Sequence, residues 1–124
     1  MPEEPTVSTT NLVLVEGLVS GPAELRQLPS GQRVATFAVS TRAAKPPMTS
    51  LPVAVWDPPE WLEGLEHGQP IVVVGSLRRR FFRGATGGIA SRVEIEAGVV
   101  ARMTEARTRR RARRLVEDAL ERLD

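Results

Sequence analysis

The chain has 124 residues, of which 41% are hydrophobic and 26% charged, so we expect a folded domain rather than a disordered segment. It contains no cysteine and one histidine, His67, which excludes disulfides and thiolate or histidine-rich metal sites, and we expect no cofactor. We find no signal peptide and no apolar run near the ~20 residues of a membrane span, so we expect a cytoplasmic protein without membrane contacts.

The first part of the chain predicts a flexible lead followed by two strands. Residues 1–10 are rich in proline, serine and threonine and are expected to be flexible. NLVLVEGLVSG (11–21) is almost continuously apolar and predicts a strand, with a bend or bulge at Gly17. LPSGQ (28–32) predicts a turn, and the alternating run RVATFAVST (33–41) predicts a half-buried strand.

The middle of the chain predicts a third strand and a short helix. A proline-containing loop (42–50) leads into LPVAVW (51–56), in which apolar residues alternate as in a strand. DPPEWLEGLEHG (57–68) then predicts a short helix, capped by Asp57 and ended by Gly68.

A long hairpin is predicted next. QPIVVVGSLRRRFFRG (69–84) begins as a buried strand and becomes basic, and IASRVEIEAGVV (89–100) alternates, with its glutamates on the outer face. The two strands flank the turn ATGG (85–88). We expect Leu77 to be the last side chain that reaches the core, with the rest of the hairpin projecting beyond it.

The C-terminal segment predicts an amphipathic helix over residues 104–124, with Thr104 as its N-cap. Three roles fit this segment. Its arginines could extend a phosphate-binding track, its apolar stripe from Leu115 to Leu123 could pack on a partner helix, or the helix could dock on its own domain. The arginines of its first half are Arg107, Arg109, Arg110, Arg111, Arg113 and Arg114.

This order of elements indicates an all-β fold. Five short strands, a helix between the third and fourth, and a C-terminal α-helix fit a five-stranded Greek-key barrel, the OB-fold, over residues 11–103. A small β-sandwich is the alternative, but the position of the short helix favours the barrel.

Arginine and phenylalanine interleave in LRRRFFRG (77–84), at the end of the fourth strand. Side chains alternate along a strand, so Phe82 shares a face with two of the arginines, in solvent. Such a surface suits a single-stranded nucleic acid, because bases stack on the ring and phosphates pair with guanidinium groups, without preference for sequence. The residues proposed to bind here are Arg78, Arg79, Arg80, Phe82 and Arg83.

Trp56 is a second candidate stacking surface, since it lies on the strand face opposite the core. Two alternatives remain open from the sequence alone. Phe81 and Phe82 could pack against another subunit, and Trp56 could fill the end of the barrel near Trp61. No convergent set of carboxylates or histidines indicates an active site, so we do not expect an enzyme.

Three segments resemble the bacterial single-stranded DNA-binding proteins. NLVLVEGLVSGPAEL, LPSGQRVATFAVSTR and GQPIVVVGSLRRRFF are similar to the first, second and fourth strands of that family, and the resemblance covers about residues 11–103. It implies an OB-fold that binds single-stranded DNA without sequence preference, in DNA replication, recombination or repair. It also implies a homo-oligomer, a tetramer rather than a dimer, associated with the nucleoid.

The resemblance also assigns individual positions. Trp56 and Phe82 fall where the family stacks bases on aromatic rings, whereas Ala44 and Ser50, at two further such places, cannot stack. The loop between the second and third strands is also short. We therefore expect weaker binding or a smaller site than is typical of the family. The resemblance makes three more residues candidate phosphate contacts: Arg33, Arg42 and Lys45.

The C-terminus departs from the family pattern, because it lacks a flexible spacer and an acidic tip that recruits other enzymes. We therefore do not expect recruitment of repair enzymes through an acidic tail. The alternative function is an OB-fold structural or assembly subunit with weak or no DNA binding, as in the primosome accessory protein.

Overall fold

The structure, a computed structural model, describes residues 9–42 and 49–123. The predicted lead over residues 1–10 lies largely outside this part, as do Ala44 and Lys45. No helix in the described part is long and apolar enough to cross a membrane. The elements are β1 (Val13–Val19), β2 (Glu24–Gln27), β3 (Arg33–Thr41), β4 (Thr49–Trp56), a 3-10 helix (Glu60–Gly64), β5 (Pro70–Arg83), β6 (Ile89–Arg102) and α1 (Ala106–Leu123).

The six strands form one sheet that closes on itself. The order is β1-β5-β6-β4-β3-β2, and β1 also pairs with β3 to close the ring. β4 and β6 are parallel, and every other pair is antiparallel. This arrangement is an OB-fold barrel, as predicted, and not two packed sheets.

β1 and β2 are the two halves of one bent strand. The six observed strands therefore correspond to the five strands of the predicted barrel. Both halves pair with β3, at Val19↔Val39 and then at Glu24↔Thr36, so the register shifts by two residues between them. β2 was not predicted, because its side chains are all exposed and show no alternation of burial. At Gly17 a Cβ atom would overlap the carbonyl oxygen of Ser40, so glycine lets β1 pass close to β3.

The barrel interior is filled by alternate residues of the strands. The predicted inward residues Phe37, Val39, Val53 and Val55 are buried, and Leu62 of the 3-10 helix joins them in the same cluster. The remaining core consists mainly of valine and isoleucine, which suit a pleated surface.

The predicted helix over residues 57–68 is wrong in extent and in its cap. It is a single 3-10 turn at Glu60–Gly64, preceded by Pro59 in an extended conformation. Asp57 has φ of 50°, in the left-handed region, and no side chain caps the turn. The proline pair after Asp57 delays the helix, because a residue before proline disfavours helical geometry.

α1 docks on its own barrel, which was one of the three roles left open. It covers the outer face of β5 and β6, where Ala112 packs in a cluster with valines of both strands. The predicted cap at Thr104 is wrong, because the backbone carbonyl of Glu105 accepts the N–H of Arg109 at 3.0 Å and the helix begins at Ala106. All three of its leucines stay exposed: Leu115, Leu120 and Leu123.

Candidate nucleic-acid interface

A two-stranded hairpin of β5 and β6 extends beyond the barrel and carries most of the candidate residues. The strands pair as far as Arg83↔Ile89, around a glycine-rich tip at residues 84–88. The expectation that Leu77 reaches the core is wrong, since Leu77 is 44% exposed and the buried run of β5 ends at Val74. The reason is a register shift between Val74 and Gly75, which turns the ribbon away from the barrel.

The hairpin arginines on one face are paired with carboxylates. The register puts Arg78 opposite Glu94, and the ion pairs run diagonally, from Arg78 to Glu96 at 3.1 Å and from Arg80 to Glu94 at 2.6 Å. Glu94, which we expected to face solvent, is only 3% exposed, because Arg80 and Arg92 enclose its carboxylate.

The other two candidate arginines of this hairpin, Arg79 and Arg83, form no ion pair within the described residues. Arg79 donates a hydrogen bond to the hydroxyl oxygen of Ser91 at 3.0 Å, and both guanidinium groups lie on exposed residues. Within the hairpin, the positive charge that an incoming phosphate can use without breaking an ion pair is therefore concentrated on these two side chains.

Trp56 lies at the end of β4 and borders a groove, rather than filling the end of the barrel. The guanidinium carbon of Arg80 is 5.9 Å from the centre of its ring, within the range of a cation–π contact. The groove has a volume of about 450 Å³. Its walls are Trp56, Arg78, Arg79, Arg80, Phe81, Glu94 and Glu96.

The two phenylalanines are exposed and border neighbouring grooves. Phe81 is 67% exposed and shares the first groove with Trp56, whereas Phe82 is 45% exposed and lies beside Arg26 and Arg92 in a second groove of about 340 Å³. Arg80 and Phe81 line both grooves, so the two grooves adjoin each other.

Three aromatic or basic residues of these grooves, Arg26, Phe81 and Arg92, were not among the predicted binding residues. The strict pairing of the hairpin, which places Arg92 opposite Arg80, could have identified Arg92. Phe81 was assigned to the opposite strand face, but two-stranded ribbons twist strongly and its ring reaches the Trp56 groove. Arg26 had no sequence signal, since the short strand that carries it was not predicted.

The remaining predicted phosphate contacts lie apart from the grooves or outside the described residues. Arg33 pairs with Glu63 of the 3-10 helix at 2.6 Å, so its charge is already compensated. Arg42 is exposed just after β3, and Lys45 belongs to the part of the loop that the structure does not describe. Ser50, at one of the positions where the family stacks a base, is exposed on β4.

Trp61 belongs to a different cluster, which joins the barrel to α1. The guanidinium carbon of Arg102 lies 4.4 Å from the centre of the Trp61 ring, and Glu105 accepts hydrogen bonds from both the backbone N–H and the Nε of Arg102, each at 3.0 Å. The backbone hydrogen bond, helped by the Arg102 cation, holds the pKa of Glu105 below its usual value. This cluster fixes the start of α1 next to the 3-10 helix.

No family model matches this sequence, and no curated protein matches it. Two solved structures share its fold. One is the Plasmodium falciparum SSB in complex with ssDNA, with a TM-score of 0.66 and 19% identity over 79% of this chain and 98% of that chain. The other is the single-stranded DNA-binding protein from Thermus aquaticus, with a TM-score of 0.62 and 22% identity over 75% of this chain and 40% of that one. The fold that the resemblance implied is therefore confirmed.

Proposed function

We propose that the protein binds single-stranded DNA without sequence preference and acts in DNA replication, recombination or repair. The observation that carries this proposal is the groove in which Trp56 lies beside Arg80 and continues to the exposed ring of Phe81. Aromatic rings and the unpaired guanidinium group of Arg79 in one groove provide the two contacts that a flexible single strand needs, one for its bases and one for its phosphates.

The mechanism is stacking combined with charge neutralisation. Bases stack on Trp56, Phe81 and Phe82, each worth roughly 1–3 kcal/mol, and a ring face does not distinguish one base from another. Phosphates contact Arg79 and Arg83, which release counterions without breaking an ion pair. The proposed activity is binding and has no catalytic step.

The test is a fluorescence anisotropy titration of a labelled oligo-dT of about 15 nucleotides, the upper end of the range for one OB-fold. We expect micromolar or tighter binding that weakens with salt. The variant Arg79→Gln/Arg83→Gln should flatten the plot of log affinity against log salt by about 1.4, since each phosphate contact on a single strand contributes about 0.7. The matched control is Arg109→Gln/Arg113→Gln, which removes two charges from α1 and should keep the wild-type slope.

A second candidate function is the assembly subunit, favoured by one observation. The face of the hairpin opposite Arg78 and Arg80 exposes apolar side chains outside the Trp56 groove that a protein partner would bury: Leu77, Ile89 and Val93. This role requires no oligo-dT binding. An anisotropy that does not change with protein concentration at low salt would therefore reject DNA binding and favour the assembly subunit.

We also propose that the protein is a homo-oligomer, a tetramer rather than a dimer, in the cytoplasm at the nucleoid. What supports self-association is β1, which pairs with β5 from Val13 to Gly17 and has no described strand on its other edge over those residues. Leu14 and Leu18 on the same strand are exposed, which adds apolar surface next to that edge.

A further inference from the structure

A third groove begins at Trp56 and leads away from the hairpin. It has a volume of about 260 Å³ and runs between β6 and the start of α1, with Trp61 and Thr108 among its walls and Arg111 contributed by the helix. Trp56 lines both this groove and the hairpin groove. The three grooves therefore adjoin one another in series, from Phe82 on the hairpin across Trp56 to α1.

The helix side of this third groove is positively charged. Arg107 lies four residues before Arg111, on the same side of α1, and Arg114 follows three residues later. None of these three arginines forms an ion pair among the described residues. On the other flank of the helix, Arg113 is paired with Glu117 at 2.9 Å.

Two carboxylates also line the third groove, and both are already engaged. Glu105 accepts its hydrogen bonds from Arg102, and the carboxylate of Asp57 accepts a long one, 3.5 Å, from the Gln32 amide. Asp57 precedes the 3-10 helix and Glu105 directly precedes α1, so both lie outside the run of arginines on the helix. A phosphate chain would therefore follow the arginine-bearing side of the helix.

We propose that the DNA strand bound by the hairpin continues over Trp56 into the third groove, where its phosphates contact Arg107 and Arg111. α1 is then part of the binding surface as well as a cover for the barrel. This inference rests on the proposed function and extends it by assigning the occupant of the third groove. A nucleic acid fits better than a protein segment, because the third groove adjoins an aromatic and basic groove at Trp56 and its free charges are guanidinium groups.

The experiment compares two double variants in the full-length protein, titrated with the same oligo-dT. Arg107→Gln/Arg111→Gln removes two charges from the side of α1 that faces the third groove. Arg109→Gln/Arg113→Gln removes two charges, at the same spacing, from the other flank, where both arginines line a separate groove. Glutamine keeps a high helix propensity, and melting curves check that both variants remain folded.

The first variant should weaken binding about tenfold at moderate salt and reduce the salt slope by about 1.4, while the second should change affinity less than about twofold. Equal losses in the two variants would mean that α1 contributes only long-range charge, and the inference would be wrong. Unchanged affinity in both would overturn it too. If the wild-type protein does not bind oligo-dT at all, it is the proposed function that fails, and the inference falls with it.

Discussion

The side-chain amide of Asn11 makes the two hydrogen bonds that the backbone of a neighbouring strand would otherwise make. Its amide nitrogen donates to the carbonyl oxygen of Leu77 at 2.8 Å, and its amide oxygen accepts the N–H of Leu77 at 2.9 Å. The pairing of Val13 with Gly75, continued by two residues, brings Asn11 opposite Leu77, so these bonds extend the sheet beyond the end of β1. An asparagine before the first apolar run therefore fixes the base of the β5–β6 hairpin.

We predict that Asn11→Asp lowers the free energy of unfolding by about 1 kcal/mol, because a carboxylate can accept the Leu77 N–H but cannot donate to the Leu77 carbonyl. Urea denaturation at neutral pH measures the loss. Gln27→Glu on β2 is the control, since it makes the same amide-to-carboxylate change at an exposed side chain without a hydrogen bond among the described residues. Equal stability of Asn11→Asp and wild type would show that the two bonds do not stabilise the fold.

The hairpin depends on a register shift that only glycine permits. At Gly75 a Cβ atom would overlap the carbonyl oxygen of Glu96 and crowd Ala97, on the strand that carries the ion-paired carboxylates. Because the shift sits where the hairpin leaves the barrel, it determines how Arg78 and Arg80 lie relative to Trp56.

We predict that Gly75→Ala destabilises the protein by about 1–3 kcal/mol, the usual cost of overpacking, and weakens oligo-dT binding as the hairpin moves. Gly64→Ala in the 3-10 helix is the matched control, because no atom lies within 4 Å of its added Cβ and Gly64 lines none of the grooves assigned to DNA. Thermal unfolding and anisotropy measure the two effects. A Gly75→Ala protein with wild-type stability and affinity would contradict the role given to the register shift.

Strands in which apolar and polar residues clearly alternate were predictable from the sequence, whereas features set by tertiary contacts were not. The alternation in β3 and β4 identified Phe37 and Val53 as core residues, because each of these strands buries its apolar face in the barrel interior. The burial of Glu94 could not be read from alternation, since it depends on Arg80 across the hairpin and Arg92 on its own strand. The start of α1 likewise depends on the cluster of Trp61, Arg102 and Glu105, which no local pattern reveals.

The candidate site was predictable in part for the same reason. Phe82 and the run of arginines are adjacent in sequence, so their strand alone placed them together. Trp56 could be assigned to an outer face, but its position beside Arg80 follows from the parallel pairing of β4 with β6. The third groove was beyond sequence reasoning, because it forms only where α1 packs on the barrel.

Across the whole molecule, the position of α1 limits how copies can associate. Because α1 covers the outer face of β5 and β6, two copies could associate through that face only if α1 undocked from the barrel. The apolar surfaces that remain include the free edge of β1, with Leu14 and Leu18, and the exposed leucines of the helix. Two copies joined along β1 would place equivalent side chains near each other across the twofold axis.

We therefore predict that light scattering gives a mass that is a multiple of 13.6 kDa, and that Leu14→Glu/Leu18→Glu shifts it towards the single-chain value. Like charges facing each other across paired strands repel, and these leucines are already exposed in one chain, so the fold should tolerate the change. Leu25→Glu, at an exposed leucine of β2, should leave the mass unchanged. A wild-type protein that stays monomeric at every concentration tested would reject self-association. If the Leu14→Glu/Leu18→Glu variant keeps the full oligomer mass, the interface does not lie at β1, and the exposed leucines of α1 become the next candidate.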